Sequence, residues 1–148
     1  MNILYFQHVG LLGGSGRSLL ELVRALKLEI DAQFIVVCPK GKLQDLFKDL
    51  GCKIFSVKGL SNFDNNQYSY YVGLRWLILI REFLLLVPTI LLFLRLKKTL
   101  KKIDIVHINE ITMPMVGVLA KFFFPQATII CHARAIQRKK KKILMQIE

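Results

Sequence analysis

Short, almost wholly apolar runs alternate along the chain with longer runs in which apolar residues recur every three or four positions. The short runs are residues 2–7 (NILYFQ), 32–39 (AQFIVVCP), 52–57 (CKIFSV), 103–109 (IDIVHIN) and 127–132 (ATIICH). Near-continuous hydrophobicity over this length predicts strands covered on both faces. Residues 15–28 place Leu19, Leu22, Val23 and Leu26 on one stripe, with Glu21, Arg24 and Lys27 mostly off it, which predicts a helix. Ser18 and Glu21 have capping-box spacing, and Ser15 is an equally good cap. A short helix over 42–51 ends on Gly51, the residue type favoured just past a helix end. Residues 58–69 read as a polar loop carrying the turn formers Asn62, Asp64, Asn65 and Asn66. A long apolar segment covers 71–102, and another helix 113–124. Strand and helix in regular alternation predict an α/β domain, a parallel sheet with helices on both faces.

Such a sheet binds ligands at the carboxyl ends of its strands. Here those ends carry the loop after Gln7, Cys38-Pro39, Val57-Lys58, His107-Asn109-Glu110 and His132-Arg134. The first of them runs into HVGLLGGSGRS, a glycine-rich turn before a helix start, a device suited to an anion because free N–H groups and the helix dipole meet there. Two familiar uses of that device do not fit. From Gly14 the dinucleotide fingerprint would need glycines at 14, 16 and 19, but position 19 is Leu, and Cys38-Pro39 stands where an acidic residue should end the second strand. A phosphate-binding P-loop needs four residues between its glycines; Gly10 and Gly16 enclose five, and Arg17 replaces the lysine.

Composition sharpens the picture. The chain has 148 residues, enough for one domain with a real core. It is 53% hydrophobic, with a mean hydropathy of +0.43, yet carries a net charge of +12. Grease and positive charge together suggest contact with anionic lipid, whereas a nucleic-acid binder is basic without being so apolar. The basic run 138–142 (RKKKK) holds no aromatic residue to stack on bases, so no nucleic-acid partner is expected. Cys38, Cys52 and Cys131 are odd in number and show no CxxC spacing; free buried thiols are expected, and neither a metal site nor a disulfide framework. No basic, signal-like leader precedes the first apolar run, so a cytoplasmic start is expected.

The 71–102 segment allows three readings. Its longest uncharged run, 83–94, has 12 residues, short of the roughly 20 of a spanning helix. It reads as a buried crossover helix, as a helix lying in the cytoplasmic leaflet, or as a transmembrane span. Arg81, Arg95 and Lys102, spaced by 14 and 7, would share one helical face, and Trp76 and Lys97, Lys98 and Lys101 flank the grease as headgroup-level residue types do.

GGSGRSLLELVRAL resembles the GG-x-x-R-S-L opening of family 4 glycosyltransferases. IDIVHIN is similar to that family's D-h-V-H strand (h, apolar), and ATIICHARAI to its strand and loop ending H-x-R. The segments occur in the family's order and span nearly the whole chain. The resemblance implies a Rossmann-like domain covering residues 1–133, the N-terminal, acceptor-side half of a two-domain GT-B enzyme, followed by a basic tail over 134–148. It implies a nucleotide-diphosphate sugar as donor substrate, retention of anomeric configuration, no metal or cofactor, and a lipid-linked or saccharide acceptor in surface glycan synthesis. Gly13, Gly14 and Ser15 would approach the donor diphosphate, with Arg17 in the first helical turn beside it. His132 would be the catalytic histidine. His107, Asn109 and Glu110 would contact the acceptor, and Arg134 would hold an acceptor phosphate. Read without the resemblance, the glycines make a tight turn, His107 is a core histidine, and Arg134 is a solvated cation. The E-x7-E motif of the family's second domain is absent, so the chain alone should turn over little, and a separate C-terminal domain is an implied partner. A non-catalytic membrane-associated binding domain that kept the fold is the alternative.

Overall fold

A computed structural model describes residues 1–63 and 73–134. Five strands form one all-parallel sheet: β1 (Asn2–Phe6), β2 (Gln33–Pro39), β3 (Lys53–Val57), β4 (Ile105–Ile108) and β5 (Thr128–Cys131). Their order across the sheet is β3-β2-β1-β4-β5. Helices α1 (Gly14–Glu29) and α2 (Lys42–Asp49) connect β1 to β2 to β3. Helices α3 (Leu77–Thr99) and α4 (Pro114–Phe123) make the crossovers to β4 and β5. The architecture is therefore Rossmann-like, with the chain reversing direction across the sheet between β1 and β4.

Strand alternation divides the core in two. Ile3, Tyr5, Val36 and Cys38 meet α1 and α2 through Leu19, Val23, Leu43 and Phe47. On the opposite face Leu4, Phe6, Ile35, Val37 and Val106 meet α3 and α4 through Phe93, Leu96, Val116 and Ala120. Phe93 is fully buried, with its ring 5.3 Å from that of Phe6 and 5.6 Å from that of Phe123. Burial of one such side chain contributes about 1.5–3 kcal/mol. Two loops interlock where Gly10 meets Gly41. A Cβ on Gly10 would stand 2.5 Å from the Lys40 carbonyl oxygen, and one on Gly41, at φ 154°, would stand 2.5 Å from that of Gly10.

Several expectations change. Gly13 is the N-cap of α1 and no side chain caps the helix, so Ser15 and Ser18 both lie inside it; Glu21 pairs with Arg24 at 2.8 Å instead of closing a capping box. Cys38 and Cys52 are buried, but Cys131 is exposed, because β5 is the edge strand of the sheet. Lys102 lies beyond the end of α3 and pairs with Asp104 at 3.0 Å, so it does not continue the face of Arg81 and Arg95. The turn formers Asp64, Asn65 and Asn66, the start of the 71–102 segment and the basic run 138–142 lie outside the described residues.

Helix α3 is the crossover. Leu92, Phe93 and Leu96 pack it into the core beneath the sheet, Glu82 and Thr89 are buried against the loop after β3, and its opposite side is exposed. By length and composition it is also the one helix among the described residues apolar enough to cross a membrane, although such a helix also suits a soluble core. Glu82 is buried near its start. Its carboxylate accepts the Asn62 backbone N–H at 2.6 Å and the Arg81 guanidinium at 2.5 and 3.0 Å, fastening the loop after β3 to the helix.

Candidate functional site

The strand order reverses between β1 and β4, the place where an open parallel sheet forms a crevice at the carboxyl ends of its strands, and polar residues gather there. Each ladder runs one residue past its strand: Asn109 N–H donates to the Phe6 carbonyl at 3.1 Å, and His132 N–H to that of Ile108 at 2.9 Å. Backbone pairing thus fixes where Gln7, Asn109 and His132 stand. The buried Asn109 donates from Nδ2 to Gln7 Oε1 at 2.6 Å and to the Ser15 carbonyl at 3.1 Å, joining β4, β1 and the first turn of α1.

Arg134 closes this arrangement. Its Nε donates to Asn109 Oδ1 at 3.0 Å and to the Asn109 carbonyl at 3.1 Å. Nη1 donates to Ser18 Oγ at 3.0 Å, and Nη2 lies 3.0 Å from His132 Nδ1. A guanidinium can only donate, so Nδ1 of His132 is the acceptor, and in the neutral ring Nε2 carries the proton. His107 Nε2 lies 3.4 Å from the same Nδ1, with the two rings perpendicular and 4.6 Å apart. His107 is 5% exposed and rests against Tyr5. Burial, then repulsion by the charged form of His132 and by Arg134, pushes its pKa down to about 4. It is a neutral ring at pH 7, packed behind His132.

The glycine turn borders the same crevice. Gly13 and Gly14 are exposed, and the first intrahelical bond runs from Arg17 N–H to the Gly13 carbonyl at 2.9 Å. The N–H groups of Gly14, Ser15 and Gly16 therefore have no intrahelical acceptor. Gly13 has φ −92° and ψ −177°, open to any residue, and a Cβ on Gly13 or Gly14 would meet nothing within 4 Å. Neither backbone strain nor packing within the chain requires glycine at these two positions. Gly16 differs: its Cβ would stand 2.6 Å from Leu43 Cδ2.

The structure thus brings His107, Asn109, His132 and Arg134 into one hydrogen-bonded cluster joined to Ser15. Arg17 is exposed in the first turn of α1, and Glu110 is half-buried after β4. Arg134 uses three of its nitrogens within the chain, a more committed position than a solvated cation would have. Sequence reasoning missed Gln7 and Ser18. The signal for Gln7 was its place as the polar residue ending an apolar strand; its Nε2 is buried and has no hydrogen-bond partner among the described residues. Beside the crevice, a cavity of about 370 Å³ is lined by His8, Lys58, Asn62, Arg81 and Glu82, among others. Among the described residues no three His, Cys, Asp or Glu side chains stand close enough together to hold a metal ion. Chemically, the crevice offers N–H donors suited to an anion and one imidazole with a fixed tautomer. Comparison of the chain with protein-family models, with curated proteins and with solved structures gives no match, so the crevice and the fold around it carry the functional reading.

Proposed function

We propose that the chain is the acceptor-side half of a nucleotide-sugar-dependent, retaining glycosyltransferase of the GT-B type, acting on a lipid-linked or saccharide acceptor. The observation that carries the reading is the pairing of two exposed glycines, which the chain's own packing does not require, with the His132–Arg134–Asn109 cluster across one crevice. Glycine at 13 and 14 keeps side chains away from unpaired N–H groups, as close approach of a diphosphate demands. His132, presenting an Nε2–H donor, suits hydrogen bonding to a sugar hydroxyl. Arg134 acts by holding that ring and Asn109 in place, and the unpartnered Gln7 Nε2 is a further donor in the same layer. Lys58, Arg81 and Asn62 in the neighbouring cavity suit an acceptor with phosphate or hydroxyl groups.

The test is sugar transfer. Membranes from cells expressing the chain together with a separately encoded donor-side GT-B domain are given a panel of labelled nucleotide-diphosphate sugars. Wild type yields a labelled lipid or saccharide product, and Gly13→Val lowers the yield by at least about a hundredfold by blocking anion approach. A Cβ at position 13 stands in open space, so the variant should keep its fold, at a cost of about 1 kcal/mol for a poorer helix cap. Transfer unchanged in Gly13→Val, or absent with every donor, defeats the reading. The second reading, a non-catalytic membrane-bound domain, is favoured by the bare apolar side of α3. It predicts that Gly13→Val changes nothing measurable.

A further inference from the structure

The outward side of α3 carries Ile80, Phe83, Leu84, Val87, Leu91 and Leu94, each between 48% and 68% exposed. Their spacing of three and four is that of a core-facing stripe, yet no helix or strand among the described residues covers it; the Phe63 ring meets that of Phe83 edge-on at 5.7 Å, at the start of the stripe. The helix is thus apolar on two sides, one spent on the sheet through Leu92, Phe93 and Leu96 and the other bare. Helix α4 lies alongside on the same face of the sheet and adds exposed Val118 and Phe122.

Charge selects the occupant. Residues 77–102 hold six cations, Arg81, Arg95, Lys97, Lys98, Lys101 and Lys102, against one carboxylate, Glu82, which is buried and paired. Lys98 continues the row of Leu84 and Leu91, seven residues apart along the helix. Trp76, half exposed, sits four residues before Ile80 at the other end of the stripe. Two copies of the stripe would bring like charges together with no carboxylate between them. An apolar face bounded by lysines at one end and tryptophan at the other suits the boundary between acyl chains and anionic headgroups.

We infer that the α3–α4 face is a docking surface for an anionic lipid bilayer, on which α3 lies parallel to the membrane plane. This is independent of the sugar-transfer reading. As the crossover from β3 to β4, α3 runs antiparallel to the strands, so its start lies at the carboxyl end of the sheet. A helix lying flat therefore places the β1–β4 crevice at the side of the molecule, opening along the membrane.

Trp76 is the chain's single tryptophan and reports directly. Vesicles of phosphatidylcholine with phosphatidylglycerol, added to the full chain, should shift its emission to the blue, and brominated acyl chains should quench it. Vesicles of phosphatidylcholine alone should bind at least about tenfold more weakly. Val87→Glu with Leu91→Glu, and separately Lys98→Glu with Lys101→Glu, should each lower affinity for the anionic vesicles by at least about tenfold. All four side chains are exposed, so the far-ultraviolet circular dichroism and thermal midpoint should match wild type. Four results would overturn the inference: no binding to anionic vesicles, equal binding to neutral ones, a dimer in light scattering that the Val87→Glu/Leu91→Glu variant dissociates, or resistance to alkaline extraction from cell membranes, which marks a spanning helix. Sugar transfer enters none of these readouts.

Discussion

At the scale of single residues, two groups make opposite demands on their surroundings. His107 is held neutral by burial and by the charge of its neighbours, with its pKa lowered to about 4 from an unfolded value near 6.5. Between these values the unfolded chain binds a proton that the folded chain refuses. Stability therefore falls as pH drops from about 6.5 to about 4 and gains nothing from this group above that window. The loss is about 3 kcal/mol. Urea midpoints measured at pH 7 and pH 4.5 should separate widely for wild type and less so for His107→Gln. The glycines differ as sharply. Gly10→Ala forces a methyl group against the Lys40 backbone and should cost about 2 kcal/mol or more. Gly13→Ala should cost under about 1 kcal/mol, as an N-cap change in open space. Denaturant titration of the two variants side by side checks the contrast. The sequence marks all these positions simply as glycine; which ones serve packing depends on loops 30 residues apart meeting in space.

At the scale of elements, the loop after β3 is tied to α3 through Glu82. Glu82→Ala leaves the Asn62 N–H without its acceptor in a buried place and should destabilise by about 1–3 kcal/mol. Arg81→Ala leaves the Glu82 carboxylate buried without its counter-ion and should cost more, about 3 kcal/mol or above. Unfolding curves of both variants test this order. The five strands and helices α1, α2 and α4 were legible in the hydrophobic pattern to within about two residues, because the inner strands are covered on both faces and read as unbroken apolar runs, whereas α3 is shorter than the 71–102 segment at both ends. What misled was local. Ser15 and Ser18 are good caps by residue type, but the interlocked Gly10–Gly41 loops bring the chain into α1 in a way that starts the helix at Gly14. Cys131 ends an apolar run like those of the inner strands, yet the sheet stops at β5, and an edge position leaves no trace in a short run.

At the scale of the whole molecule, the candidate site was legible as a set of strand ends but not as a network. His107, Asn109, His132 and Arg134 follow from where the strands stop. Their hydrogen bonding depends on which strands lie next to each other, and the placement of β4 against β1 is a tertiary fact. Gln7 and Ser18 joined the cluster through that placement alone. Arg134 bridges three elements, so Arg134→Ala should both destabilise the domain and free the His132 ring. Nuclear magnetic resonance of the imidazole nitrogens distinguishes the two: wild type should show one dominant tautomer protonated at Nε2, and the variant a mixture.

The same adjacency governs how the molecule comes into being. Pairing within β1, β2 and β3 joins segments that follow one another along the chain, whereas Asn109 meets Gln7 across 102 positions. Contacts of such separation carry the largest loop-closure entropy and set the pace of folding. The first three strands with α1 and α2 can collapse as a unit while the crevice still lacks one wall. Its geometry exists only after the polypeptide has been made through β5 and Arg134 and both last strands have docked, so ligand binding at the crevice would report the final step of folding.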